Sequence, residues 1–262
     1  MKKIISMLVM SMLIIGILAA CGGAKEESAN EGGNKDSDAK VLKMATSADY
    51  APFEYIDTAK GEDIIGLDID IAKAITEKLG YELEIQDMDF GGLISSLQNG
   101  QADFVMAAMS ATDERKESVD FSDTYYTSKH VIVSKKGSGI KSVDQLKGKK
   151  VGAQLGSIQE EKAKELAEST GFSYESRNRV PELIQEILAG RLDAAIIEDT
   201  VAKGYLEEAK DVEGTTIEDA DGGYAIAFPK DSELKEEFNT ELKKMIENGE
   251  VDKIVKKWFD AE

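Results

Sequence analysis

Residues 104–118 combine the residue types that bind a carboxylate. An apolar strand, FVMAAM (residues 104–109), runs into Ser110 and Thr112, and Thr112 is suited to cap a helix that opens with acidic residues. A helix start presents unpaired backbone N–H groups and the positive end of its dipole to an anion. Arg115 adds a planar fork that can hold a carboxylate through two hydrogen bonds. Because charged residues are mostly exposed, a capped surface helix with a solvated Arg115 is the alternative.

Two other polar segments follow predicted strands. GSIQ (residues 156–159) is a glycine turn that feeds a helix, and Ser157 with Glu160 forms a capping-box pattern. Asp199 closes an apolar strand, and the residues alone predict that it caps the next helix. A nucleophile–base pair would have to use His130, the only histidine in the chain. The CxxC, HExxH and P-loop patterns are absent, so the sequence favours binding over catalysis, with no cofactor and no metal.

The elements that position these residues alternate between strand and helix from Val41 onward, which is typical of α/β proteins. Apolar residues spaced by four mark one helix face between Leu67 and Leu79, with Gly80 as the stop. Ser142 and Gln145, three residues apart, form a capping-box pattern that predicts a helical turn beginning after Ser142. Further helices are predicted over residues 93–97, 157–169, 181–189, 234–245 and 254–258, and strands over 81–85, 130–133, 150–153, 172–175, 193–197 and 224–228.

Composition and charge exclude several classes of partner. With 262 residues, of which 42% are hydrophobic, the chain can bury one large core or two moderate ones. Its net charge is −19, and removal of residues 1–20, which contain Lys2 and Lys3, gives −19 − 2 = −21. Such a surface argues against nucleic acid and against electrostatic binding to anionic lipid.

The N-terminus predicts export and a lipid anchor. Residues 1–20 have the basic start and apolar run of a signal peptide. Cys21, the only cysteine, follows Leu-Ala-Ala, and this segment resembles a bacterial lipobox. One diacylated cysteine would tether the protein to the outer face of the membrane, with residues 22–40 as a flexible tether. An uncleaved anchor or an incidental thiol are the alternatives.

Four motifs lie in register along the chain: TSADYAPFEYID (residues 46–57), GLDIDIAKAI (66–75), SATDERKESVDFSDTYY (110–126) and RLDAAIIEDTVA (191–202). Together they resemble the signatures of the polar amino acid substrate-binding lipoproteins of bacterial ABC importers, which are solute-binding proteins of family 3. The likeness runs from about Val41 to Glu262.

This resemblance implies a two-lobe fold of the periplasmic-binding-protein type, with the ligand cleft between the lobes. The chain would cross between the lobes twice, near residues 129–133 and 222–225. Lobe 1 would then combine residues 41–129 with 224–262, and lobe 2 would span residues 130–223.

The resemblance also assigns roles in ligand binding. Arg115 would hold the carboxylate of an amino acid, helped by backbone N–H groups of residues 156–159 from the other lobe. Asp199 and the Ala108 carbonyl would face the ammonium. Aromatic rings would stack on the aliphatic stem of the ligand. The residues expected to line the site are Ser47, Tyr50, Phe90, Ala108, Met109, Ser110, Arg115, Gln154, Ser157, Ile158 and Asp199, with Thr112 nearby.

Ser47 bears on which amino acid binds. Relatives that bind basic amino acids place an acidic residue there, three positions before the aromatic that matches Tyr50. Because burying a cation without a counter-charge is costly, the sequence predicts a polar, uncharged side chain such as that of glutamine. The segment around Phe90 also resembles the glutamine-type members. The alternative is arginine, lysine or histidine, with Asp49 or Glu198 supplying the charge.

The function implied is that of an extracytoplasmic receptor and not of an enzyme. The protein would be lipid-anchored, would close on a free polar amino acid by hinge motion, and would deliver it as a monomer to an ABC permease and its ATPase. A dehydratase-type enzyme and a sensor on the same fold are the alternatives of other classes.

Overall fold

The computed structural model describes residues 40–59, 61–220 and 223–259. The predicted signal peptide, Cys21 and the tether lie outside the described residues, so those expectations stay predictions. Within the described part the architecture is α/β, as the alternating pattern predicted. No helix in this part is long and apolar enough to span a bilayer.

The first sheet consists of β1 (Val41–Thr46), β5 (Glu82–Asp87), β6 (Phe104–Val105), β7 (Val119–Phe121) and β13 (Ala227–Pro229). Its strand order is β5–β1–β6–β13–β7. β1 pairs in parallel with β5 and β6, whereas β13 pairs antiparallel to β6 and β7. The chain therefore leaves this sheet after β7 and returns to it with β13.

The second sheet is built from the intervening segment and consists of β8 (Lys129–Lys135), β9 (Lys150–Gln154), β10 (Ser173–Arg177), β11 (Ala194–Glu198) and β12 (Val212–Ala220). Its strand order is β10–β9–β11–β8–β12. β8 pairs antiparallel to β11 and β12, and β9 pairs in parallel with β10 and β11. The exact lobe boundaries given above stay a prediction.

A third, small sheet was not predicted, and it bears on the site. It consists of β2 (Asp49–Tyr50), β3 (Glu54–Ile56) and β4 (Ile64–Ile65), all antiparallel. The β2–β3 pairing sets Tyr50 opposite Glu54. Strands this short carry too few residues for a readable alternation of polar and apolar side chains.

Helices cover both large sheets. They are α1 (Leu67–Leu79), α2 (Leu93–Gln98), α3 (Asp113–Ser118), α4 (Ile158–Thr170), α5 (Val180–Leu188), α6 (Asp199–Glu208), α7 (Glu233–Glu247) and α8 (Glu250–Phe259). α4, α5 and α6 contact the second sheet, while α7 and α8 pack on α1 beside the first. α1 confirms its sequence pattern, because its apolar face is buried and Gly80 ends it in the left-handed conformation.

Some local predictions were wrong. Ser142 precedes a short 3₁₀ helix, Val143–Leu146, but makes no side-chain cap. Instead, the Gln145 side chain accepts a hydrogen bond from the Lys141 N–H at 2.6 Å. β12 was also not predicted, because its polar residues give no clear period-two pattern.

Candidate functional site

Arg115 is buried, not solvated. Thr112 caps α3 as predicted, and its hydroxyl accepts a hydrogen bond from the Arg115 N–H at 3.2 Å. The Arg115 side chain donates from Nη1 to the Ser110 carbonyl at 2.8 Å and from Nη2 to the Gly156 carbonyl at 3.0 Å. Its guanidinium carbon lies 5.5 Å from the centroid of the Phe90 ring. The surface-arginine alternative is therefore wrong, and Arg115 joins the first-sheet side to the loop after β9.

The loop after β9 comes close to the first-sheet side through two glycines. Gly156 adopts a φ of +76°, and a Cβ on it would lie 3.0 Å from the Gly91 Cα. Ser157 caps α4 as predicted, accepting from the Glu160 N–H at 3.1 Å and donating to the Gln154 carbonyl at 2.7 Å. The Glu160 carboxylate accepts from the Gly156 N–H at 2.8 Å. The start of α4 thus lies next to Arg115.

A pocket with an empty volume of about 310 Å³ lies where these segments meet. Its lining includes residues from the segments that build the first sheet and from those that build the second. Nine of the predicted site residues line it: Ser47, Tyr50, Phe90, Ala108, Ser110, Arg115, Gln154, Ser157 and Ile158. The sequence reasoning missed four residues of the lining: Glu54, Ala107, Gln159 and Tyr224.

Met109 and Asp199, the other two predicted site residues, are not part of this lining. Met109 is buried in an apolar cluster that also contains Ala107 of the lining. Asp199 is the first residue of α6, and its Oδ1 accepts hydrogen bonds from the Lys129 N–H at 3.2 Å and the Thr200 N–H at 3.0 Å. The prediction that Asp199 caps this helix was wrong. Glu198 is the cap, with its Oε2 accepting from the Val201 N–H.

Ala108 has a conformation that is unusual for a residue with a side chain. Its φ is +45°, in the left-handed region that side chains disfavour. Asp68 holds this turn, because its Oδ2 accepts hydrogen bonds from the Ala108 N–H and from the Tyr125 hydroxyl, both at 2.7 Å. Burial raises the pKa of Asp68 to about 7, even though both hydrogen bonds favour the ionised form.

Glu54 is the unexpected charged group of the pocket. Its side chain is fully buried, and neither carboxylate oxygen has a hydrogen-bond partner among the described residues. Burial first, and then the charges of Asp68, Asp49 and Glu198, raise the pKa of Glu54 well above its usual value. Glu198 is also fully buried, and its Oε1 lacks a described partner. This group of carboxyls is not arranged to hold a metal, since the described residues contain no suitable cluster of three ligands.

Asp49, in contrast, has its carboxylate occupied. Its Oδ1 accepts from the Ser47 hydroxyl at 2.9 Å and from Nη1 of Arg179 at 3.3 Å, and its Oδ2 accepts from the Val180 N–H at 2.8 Å. Burial raises the pKa of Asp49, and these contacts oppose the rise. Ser47 thus turns its hydroxyl toward Asp49, and Arg179 offsets the charge of that carboxylate.

Aromatic rings form the apolar part of the lining. Tyr50 and Tyr224 are buried, and Phe90 is partly exposed. The Tyr224 hydroxyl accepts from the Ser128 hydroxyl at 2.9 Å, and its ring packs edge-on against Phe53 at a centroid distance of 5.4 Å. The sequence placed Tyr224 only in a strand, yet its backbone forms an isolated bridge to Ser110 at the pocket.

Comparison with known proteins agrees with this geometry. A model of the bacterial extracellular solute-binding proteins, family 3, matches residues 42–261. The chain is 53% identical over 265 residues to the arginine-binding extracellular protein ArtP of Bacillus subtilis (strain 168), with 100% of both chains covered. It is 37% identical to the ABC transporter glutamine-binding protein GlnH of the same organism, over 99% of this chain and 98% of that one.

A solved structure gives the same result. The crystal structure of the substrate-binding protein of an amino acid ABC transporter has a TM-score of 0.80 and 44% identity, covering 84% of this chain and 99% of that one. The two sheets of the present structure therefore form the two lobes of this fold, with the pocket in the cleft between them. These relatives are binding proteins, and the expectation of a non-enzyme is confirmed. The chain belongs to the bacterial extracellular solute-binding proteins of family 3.

Proposed function

We propose that this protein is the receptor of an ABC importer for a basic amino acid, with arginine as the preferred ligand. The observation that carries the proposal is Glu54, a buried carboxyl group in the pocket lining whose two oxygens have no described partner. The alternative ligand from the sequence is therefore preferred over a glutamine-like one. The ligand described for ArtP, which is 53% identical to this chain, supports the same choice.

The pocket has separate groups for the two ends of such a ligand. Arg115 and the start of α4 suit the α-carboxylate, because the guanidinium fork and the N–H groups of a helix start both attract an anion. Glu54 suits the cationic end of the side chain. The walls of Tyr50 and Phe90 suit the apolar stem between them. The Ala108 carbonyl and the acidic residues at the start of α6 are assigned to the α-ammonium group.

Charge balance favours a cation over a neutral side chain. Glu54, Glu198 and Asp68 are buried together, and several ionised carboxylates in a buried site repel one another. The pKa of each is raised by burial. A bound guanidinium would relieve this repulsion, whereas a glutamine amide would not. Glu54, seven residues after Ser47, thus supplies the negative charge that is missing at Ser47. Asp49 does not, because Arg179 already offsets the charge of its carboxylate.

Binding is proposed to occur by closure of the two lobes around the ligand. Arg115 of the first lobe already contacts Gly156 of the second, so a carboxylate held there would be enclosed from both sides. A ligand that makes all of its contacts only in the closed state shifts the population toward that state. The closed form would then be recognised by the permease, and its partner ATPase would supply the energy for transport.

A panel of amino acids tests the proposed ligand class. Ligands that bind only the folded state raise the melting temperature in relation to their affinity. We expect arginine to give the largest shift on ligand-stripped protein, with lysine or histidine next and glutamine smaller. A panel in which glutamine gave the largest shift would contradict the role given to Glu54.

The receptor is proposed to be a monomeric lipoprotein on the outer face of the membrane, anchored through Cys21. In cells, the Cys21→Ser variant should leave the membrane fraction or accumulate as an uncleaved precursor, because it lacks the thiol to which the anchoring diacyl group would be attached. Fractionation and immunoblotting measure this, with the unmodified chain as control. A correctly cleaved variant that stayed on the membrane would refute the anchor.

A further inference from the structure

Arg179 makes an ion-pair cluster that joins the two lobes outside the pocket. It precedes α5 in the second lobe, and its guanidinium reaches carboxylates in β2 and at or just after the end of β5 in the first. Nη1 and Nη2 donate to Asp87 at 2.9 and 3.2 Å, Nε donates to Asp89 at 2.9 Å, and Nη1 also donates to Asp49 at 3.3 Å. Asn178 adds a hydrogen bond from Nδ2 to Asp89 at 2.9 Å. We call these five residues the clasp.

The clasp is distinct from the ligand site. None of its residues is part of the pocket lining. The two are connected only indirectly, because Asp49 accepts a hydrogen bond from Ser47, a lining residue. Every one of its ion pairs joins a residue of the second sheet's side to residues of the first. Opening of the cleft would therefore break these pairs together, and the clasp would exist only in the closed state.

We propose that Arg179 is a positioning residue that sets the affinity of the receptor by stabilising the closed state, without touching the ligand. This inference rests on the proposed function, since it needs a ligand that is enclosed by closure. A contact made only in the closed state must be broken before the ligand leaves, so it slows dissociation and leaves the first encounter unchanged. Because three carboxylates converge on one guanidinium, loss of Arg179 also leaves like charges facing one another.

The size of the effect follows from the exposure of the pairs. The Arg179 side chain is 24% exposed, and those of Asp87 and Asp89 are 36% and 50% exposed. Water and salt therefore weaken each pair. For the network as a whole we expect Arg179→Met to weaken binding by about 5- to 50-fold, a range between those of exposed and buried pairs. High salt should reduce the difference from the unmodified protein.

A double-mutant cycle separates the clasp from a local role in α5. Arg179→Met keeps the backbone N–H that donates to Glu182 at the start of α5. Asp89→Ala removes a partner of Arg179 on the other lobe. The Asp89 side chain does not cap the short helix that follows it, so this change should leave that helix intact. If the two side chains act through each other, the double variant should bind arginine with about the same affinity as whichever single variant binds it less tightly. Stopped-flow binding should show faster dissociation with an unchanged association rate.

The control is Arg191→Met, which removes an arginine that is 62% exposed and pairs with Glu186 in the same lobe. It should leave binding unchanged, and the melting temperatures of all unliganded variants should stay close together. Losses that add in the double variant, or an Arg179→Met affinity within twofold of the unmodified protein, would overturn the clasp while leaving the receptor function intact. Failure of the unmodified protein to bind any amino acid would refute the proposed function, and the clasp with it.

Discussion

Arginine should bind at least about 30-fold more weakly when Glu54 is replaced by glutamine. The substitution keeps the size of the side chain but removes the charge that we propose faces the cationic end of the ligand. Truncating one partner of a buried charge pair typically costs about 2–5 kcal/mol, which corresponds to roughly 30-fold to several-thousand-fold in affinity. Calorimetry on ligand-stripped protein measures the loss.

Two controls make this result specific to charge. Citrulline, a neutral isostere of arginine, should bind Glu54→Gln about as well as it binds the unmodified protein. Glu62→Gln changes an exposed carboxylate and should have no effect. The unliganded Glu54→Gln protein should be about as stable as the unmodified one, because burial favours the uncharged acid at Glu54 and the amide replaces it with another uncharged polar group of the same size. A loss of arginine affinity below threefold would show that Glu54 does not carry the counter-charge.

The same site predicts a pH dependence of binding. Below its raised pKa, Glu54 is protonated in the empty pocket, where burial and the charges of Asp68, Asp49 and Glu198 disfavour ionisation. A bound cation favours the ionised form, so binding lowers the pKa and releases a proton. Arginine affinity should therefore rise as the pH rises toward that pKa and level off above it. Calorimetry in two buffers of different ionisation enthalpy measures the number of protons released when arginine binds. The Glu54→Gln variant should release fewer protons than the unmodified protein.

Local sequence patterns were enough to predict the side of the pocket that we propose binds the carboxylate. Thr112 and Ser157 both cap helices as their spacing indicated, because a cap depends only on residues three positions apart. The position of Arg115 follows from the strand and cap that precede it. Its burial does not, since that depends on Gly156, which is 41 residues away in sequence and belongs to the other lobe.

The acidic half of the site could not be read from the sequence, for physical reasons. Glu54 lies in a three-residue strand and is buried through pairing with β2. The alternation of side chains along a strand cannot decide whether Glu198 or Asp199 turns toward the pocket. β11 is buried at all five of its positions, as is common for strands covered on both faces. The pairing of Asp49 with Arg179 joins residues 130 positions apart.

Arg115→Met is the other change with a large expected effect. It should lower the affinity for every amino acid ligand by about 30-fold or more. Arg115 is 6% exposed, and its guanidinium spans the cleft from the Ser110 carbonyl to the Gly156 carbonyl. Methionine keeps much of the apolar stem of arginine but offers no donor to a carboxylate. Arg115→Lys should fall between the two, because it retains the charge without the planar fork. Calorimetry with arginine compares all three proteins.

The methyl ester of arginine shows which part of the ligand Arg115 holds. The ester keeps the guanidinium and the ammonium but lacks the carboxylate. If Arg115 binds that carboxylate, the ester should bind the unmodified protein weakly, and Arg115→Met should reduce its affinity only slightly further. The two changes then couple, as expected for groups in direct contact. If Arg115→Met instead weakened arginine and its ester by the same factor, Arg115 would act on the closure of the lobes through Gly156, and the carboxylate site would lie elsewhere in the pocket.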